Sequence, residues 1–148
     1  MTLITLDAIK AEQTRIAQLI ADFEQQSIIS LPGRTIPLSA GEFYCGTILT
    51  NGKPDYDLVG LPHEIEAITW DEAIKQQTDN KVLPTLRELA LARANAPEHF
   101  KKEWYWSCEP HASDSDSAWC QYFYYGSQGT DYKYGKLRVR FFRRLEIL

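Results

Sequence analysis

The chain has 148 residues, of which 44% are hydrophobic and 24% charged, with four Trp, eight Tyr and six Phe, a composition expected of one soluble globular body. No run reaches the roughly 18 apolar residues of a membrane span. The opening MTLITLDAIKAEQ has neither a basic leader nor an apolar signal core, so the chain reads as cytosolic or assembled from the cytosol. Three cysteines, Cys45, Cys108 and Cys120, are an odd count without metal-type spacing, which indicates neither a disulfide framework nor a zinc site.

The net charge of −4 is unevenly spread. Residues 1–132 carry ten basic and nineteen acidic side chains, and the last sixteen carry six basic and one acidic. The basic end reads KLRVRFFRRL, with Leu137, Val139 and Phe141 alternating with Arg138 and Arg140, the pattern of a half-buried strand. Its arginines are expected on a solvated face or paired with the acidic body, which argues against a nucleic-acid partner.

Residues 5–26 lack Gly and Pro and place Ile9, Ile16, Leu19, Ile20 and Phe23 on one broad face, predicting an amphipathic helix. Ile9, Ile16 and Phe23 repeat every seven residues, but Glu12 and Gln13 fall where the second seam residue belongs. Two readings stand side by side: packing against its own domain, or a homo-oligomer built through residues 5–26. The stretch IISLPGRTIPLSAGEF, rich in Pro, Gly and Ser, reads as a linker or irregular arm.

Runs 43–49 and 56–61 around Asn51-Gly52 predict a hairpin, its loop lengthened beyond two residues by Pro54. Thr69-Trp-Asp-Glu72 and Thr85-Leu-Arg-Glu88 have capping-box spacing and open two helices, the second ended by Pro97. Leu86, Leu89, Ala90 and Ala94 recur along one face of that second helix, whose small end admits a close neighbour. From Trp104 the pattern turns to β: WYWSC, SAWCQYFYYG and KLRVRFF are strand candidates, so helices precede sheet and the fold class is α+β.

Catalytic motifs are missing from this pattern. His63-Glu64 lacks the second His of HExxH, Asp114 and Asp116 lack the remaining ligands of a calcium loop, and the cysteines lack a basic or helix-start setting. Asp55 and Asp57 read as hydrated loop carboxylates, and His63, His99 and His111 as surface or structural residues. The expectation is therefore no enzyme, no metal and no cofactor. Residues 111–135 stand out instead, with five Tyr, four Ser, three Gly and three Asp, a mixture like that of antibody paratopes. In SAWCQYFYY both alternate sets carry aromatic rings, and only one set can face a core. Trp70, Trp104, Trp106, Trp119, Phe123, Phe141 and Phe142 are the expected core rings.

The ordered series TWDEAIKQ (69–76), LPTLRELALA (83–92), WYWSCE (104–109), SAWCQYFYYG (117–126) and KLRVRFFRR (136–144) resembles the Lcl carboxy-terminal domain family, over about residues 41–145. The helix and GEFYCGTIL hairpin before it are similar to the phage-associated branch of that family. The resemblance implies a C-type-lectin-like domain, related to formylglycine-generating enzyme domains, with two helices and a small antiparallel twisted sheet, preceded by the N-terminal amphipathic helix. The implied organisation is helix 1–30, arm 31–42 and lectin-like domain 43–148. Glu109-Pro110-His111 stands where a calcium lectin has EPN, and WND is absent, so no calcium-dependent sugar site is implied. Cys108 and Cys120 do not match the closely spaced reactive pair of the oxidising relatives, so their activity is not implied either.

These readings converge on a phage- or prophage-type binding module, virion-associated or free in the producing cell. It would present Tyr122, Tyr124, Tyr125, Tyr132 and Tyr134, with Asp114, Asp116, Asp131 and His111, to a protein or glycan ligand. The alternatives are a structural protein assembled through the N-terminal helix, and an intracellular phage accessory protein that binds a host protein.

Overall fold

The computed structural model describes residues 4–147; the outermost residues of the expected segments 1–30 and 43–148 lie outside the described residues. Within that range the chain is mixed α and β, with three α-helices and eight strands. It divides into two compact units, with the boundary between Ala40 and Gly41. No helix among the described residues is long and apolar enough to cross a membrane.

The first unit opens with α1 (Leu6–Gln25), capped by the Thr5 hydroxyl, which accepts the Ala8 amide at 3.1 Å. No residue of α1 is buried. The expected irregular arm is instead a hairpin, β1 (Ser27–Leu31) paired antiparallel with β2 (Arg34–Leu38). The reason lies in the Pro32-Gly33 step: proline presets the first turn residue, and Gly33 takes φ 78°, so the pair that read as a linker signal makes a tight turn.

The second unit is a six-stranded sheet in the order β3-β4-β8-β5-β6-β7, larger than the small sheet expected. Its strands are β3 (Phe43–Thr50), β4 (Lys53–Ile68), β5 (Trp104–Pro110), β6 (Ser117–Tyr122), β7 (Gln128–Tyr132) and β8 (Leu137–Glu146). All pairs are antiparallel except β5 with β8, which run parallel at Tyr105 and Arg138. The β3–β4 turn is the two-residue Asn51-Gly52, with φ 52° and 76° as a type I′ turn requires. Pro54 does not lengthen the loop: it pairs with Leu49 beside a register shift that absorbs its missing donor.

Two helices cover this sheet, α2 (Trp70–Lys75) and α3 (Leu86–Asn95), followed by a 3-10 turn at Pro97–His99. Thr69 accepts the Glu72 amide at the start of α2. At α3 the capping box closes both ways, Glu88 N to Thr85 Oγ1 at 3.1 Å and Thr85 N to Glu88 Oε1 at 2.9 Å. The buried face of α3 is Glu88, Leu89 and Ala92, continued by Ala96, rather than Ala90 and Ala94, which are exposed. Glu88 turns that face inward because its carboxylate serves the cap and then meets Arg144 of β8 at 2.7 Å.

Strand parity builds two cores, one on each face. Leu137, Val139 and Phe141 of β8 join Trp70 and Ala73 of α2 with Trp106 and Cys120, while Phe142 joins Leu89 and Ala92 of α3 with Phe43, Phe100, Tyr105 and Phe123. The buried indole N–H groups are satisfied, Trp70 Nε1 by Ser107 O at 2.8 Å and Trp106 Nε1 by Ile68 O at 2.9 Å. Trp104 and Trp119, expected in the core, are only half-buried.

The four arginines of the basic end are spent inside the fold. Arg138 and Arg140 both donate to Glu64, Arg143 to Glu42 and Arg144 to Glu88, at 2.7 to 3.2 Å. These four arginines are thus paired with the acidic body, one of the two placements expected of them. Asp57, expected as a hydrated loop carboxylate, is buried on β4, where the hydroxyls of Thr47 and Tyr44 donate to it at 2.7 and 3.1 Å.

Candidate functional site

The late tyrosines owe their exposure to where β6 stops. Residues 117–125 do not form one long strand: β6 ends at Tyr122, and the chain turns through Phe123–Gly126 with the Gly126 amide on the Tyr122 carbonyl at 2.7 Å. Gly126 has φ 81°, and a Cβ there would collide with the Arg93 guanidinium. Arg93, reaching from α3, donates to the carbonyls of Phe123 at 3.0 Å and Tyr124 at 3.2 Å, so the helix fixes the turn. Phe123 is drawn into the core, which leaves Tyr124 and Tyr125 pointing outward at 43% and 72% exposure.

Around this turn the rings form a continuous cluster. Tyr122 stacks on its cross-strand partner Trp104 with centroids 5.0 Å apart, Tyr124 meets Tyr125 edge-on at 4.3 Å, and both lie about 6 Å from Tyr122. The Lys102 ammonium sits over the Tyr124 ring at 5.0 Å. Neither Trp104 nor Lys102 was expected at a binding surface. Trp104 read as core, and only the register that sets it opposite Tyr122 reveals it as the floor of this patch.

Tyr132 and Tyr134 form a second cluster, stacked with centroids 5.1 Å apart and 52% and 72% exposed. Tyr132 pairs with Ser117 and so has the parity of Trp119, opposite to that of Tyr122. The five tyrosines thus fall into two groups rather than one continuous surface. Beside Tyr134 lies a cleft of about 350 Å³ lined by Thr69, Asp71, Ser115, Asp116 and Lys133, within the size range of small-molecule sites. Of its lining, Asp116 and Tyr134 were expected; Thr69 and Asp71 come from the start of α2, brought near by the Trp70 amide bonding the Lys133 carbonyl at 3.0 Å.

The other expected residues shape the loops. His111 Nδ1 accepts the amides of Ser113 and Asp114 at 3.2 and 2.9 Å, and its ring stacks on Trp119. Asp114 takes the Asp116 amide at 3.0 Å and the Ser117 hydroxyl at 2.9 Å, and these bonds hold its carboxyl below the usual range. Asp131 accepts the Tyr132 amide at 2.8 Å. His111 and Asp114 therefore fix the loop 111–117, Asp131 fixes the backbone at Tyr132, and Asp116 lines the cleft itself.

A third feature was not foreseen. Glu64 receives Arg138, Arg140 and the Tyr105 hydroxyl, the last at 2.5 Å, next to a cleft of about 380 Å³ lined by His63, Glu98, His99, Phe100, Lys101 and Arg140. His63 has φ 74°, uncommon for a non-glycine residue, within the register shift of β4 between Gly60 and Glu64. Arg140 also donates to the Leu61 and His99 carbonyls, so most of its fork is committed to binding the walls together.

Burial pushes Cys45 and Cys120 up to about 12 and raises Cys108 as well, opposite to the shift that activates a nucleophile. Among the described residues no group of three His, Cys, Asp or Glu side chains is placed to hold a metal ion. Comparison with protein-family models finds no matching family, and comparison with curated proteins finds no match.

Proposed function

We propose that this chain is a non-enzymatic binding module of the phage or prophage type, its Gly41–Leu148 unit a C-type-lectin-like domain that presents aromatic surfaces to a protein or glycan. The observation that carries the reading is the exposure of two pairs of contacting rings, Tyr124 with Tyr125 and Tyr132 with Tyr134, at turns and a strand end. A ring left in water has an unmet hydrophobic payload, and a tyrosine on a rigid turn loses little entropy on contact. The hydrogen bonds of Arg93 to the Tyr124 turn and of Asp131 to Tyr132 favour recognition further, because a preorganised surface spares the ligand the cost of ordering it.

The five ordered sequence motifs support the lectin-like reading of the fold. They fall on α2, α3, β5, β6 and β8 in turn. The cleft beside Tyr134 combines carboxylates, hydroxyls and a ring face, which suits either a sugar or a polar protein side chain.

The test is a screen of the chain against a glycan array and a displayed peptide library. Two variants run in parallel, Tyr124→Ala with Tyr125→Ala, and Tyr132→Ala with Tyr134→Ala. The expected result is a set of hits weakened at least tenfold by one double variant that keeps its fold. Hits retained by both double variants contradict the proposal.

A further inference from the structure

We propose that α1 assembles the protein, joining three or four copies of this chain in a parallel coiled coil. The 20-residue helix buries none of its residues, yet carries Leu6, Ile9, Ile16, Leu19, Ile20 and Phe23 at 45 to 74% exposure. Such a helix draws little stability from propensity alone and gains it by covering its apolar face. With Leu6, Gln13 and Ile20 at the a positions and Ile9, Ile16 and Phe23 at d, five of the six seam positions over three heptads are apolar. The sixth, Gln13, lies at the centre of the seam.

That register defines the occupant. In a parallel arrangement each Gln13 meets the Gln13 of its neighbours, and their amides satisfy one another; an antiparallel or shifted partner sets the amide against isoleucine. Ile at d, with Leu or Ile at a, favours three or four strands over two, and Leu19 at g widens the stripe in the same sense. The six exposed side chains present on the order of 600 Å² per helix, so even two copies bring together about the 1,200 Å² at which specific interfaces begin. The flanks carry their own pairs, Arg15 with Glu12 and Gln18 with Asp22 at 2.9 Å, which leaves the seam free of charge.

Sedimentation of the full chain at tens of micromolar tests this, with all four tryptophans, which lie beyond residue 41, reporting by fluorescence that the second unit stays folded. The expected result is a mass of three or four chains that falls to one chain in Ile16→Glu. A Gln13→Cys protein is expected to cross-link between chains on mild oxidation. A monomeric wild type, a dimer, an oligomer that survives Ile16→Glu, or an oligomer of the Gln13→Cys protein that does not cross-link overturns the proposal. None of these outcomes depends on the ligand of the tyrosine surfaces.

Discussion

Glu88 shows how one residue joins local and global structure. Its side chain closes the α3 cap, accepts the Tyr56 hydroxyl at 2.8 Å and takes both arms of Arg144 while fully buried. Burial alone would raise its carboxyl, but Arg144, the Thr85 amide and Tyr56 together hold it below the usual range. A lowered folded value means the ionised form stabilises the fold above the unfolded value of about 4.5, and that this contribution is lost as pH falls through the folded value. Glu88→Gln leaves the partly exposed Arg144 without its partner charge and is expected to cost about 1 to 3 kcal/mol at pH 7 in urea titrations. The gap between wild type and variant should narrow below about pH 4.5. The thiols give a second residue-scale outcome. With all three raised by burial, none should react with a disulfide reagent at pH 8 as fast as a peptide thiol, and all three should react in denaturant.

At the scale of elements, the β3–β4 hairpin rests on a close fit. Phe43 lies directly across from Gly60, and a Cβ at Gly60 would run into the Phe43 ring. Gly60→Ala is expected to cost roughly 1 to 3 kcal/mol in a wild-type background and much less alongside Phe43→Ala, a coupling that a double-mutant cycle measures. Turns and caps with strong local chemistry were legible in the sequence: Thr69 and Thr85 cap helices as their spacing predicts, and Asn51-Gly52 makes its turn. Elements fixed by tertiary pairing were not. β7, with the sequence QGTDY, has almost no apolar content, and it exists because β6 offers it five paired positions and Gln128 bonds Gln121 and Leu86 O. The end of β6 at Tyr122 depends on Arg93, thirty residues away on α3, so no local pattern separates the buried Phe123 from the exposed Tyr124. The hairpin of β1 and β2 was hidden because Pro-Gly marks a tight turn and a loose linker equally well.

For the whole molecule, the charge asymmetry along the chain becomes a folding device: the basic last strand is clamped to Glu42, Glu64 and Glu88, from the acidic remainder. With the four arginines of the last strand paired and two cores filled, the exposed large apolar side chains gather in the late tyrosines and in the face of α1. A helix that gathers several copies would multiply weak contacts at each tyrosine patch, since linked sites act at high effective concentration. The proposed binding role requires those tyrosines to be a contact surface rather than sheet cover. The most direct test takes the strongest hit from the glycan and peptide screen and compares its affinity for wild type, Arg93→Ala and Tyr124→Ala with Tyr125→Ala. A contact surface predicts at least a tenfold loss in the tyrosine variant and a smaller loss in Arg93→Ala, which disorders the turn without removing a ring. If wild-type affinity persists in both, and also in Tyr132→Ala with Tyr134→Ala, the tyrosines are not the contact surface.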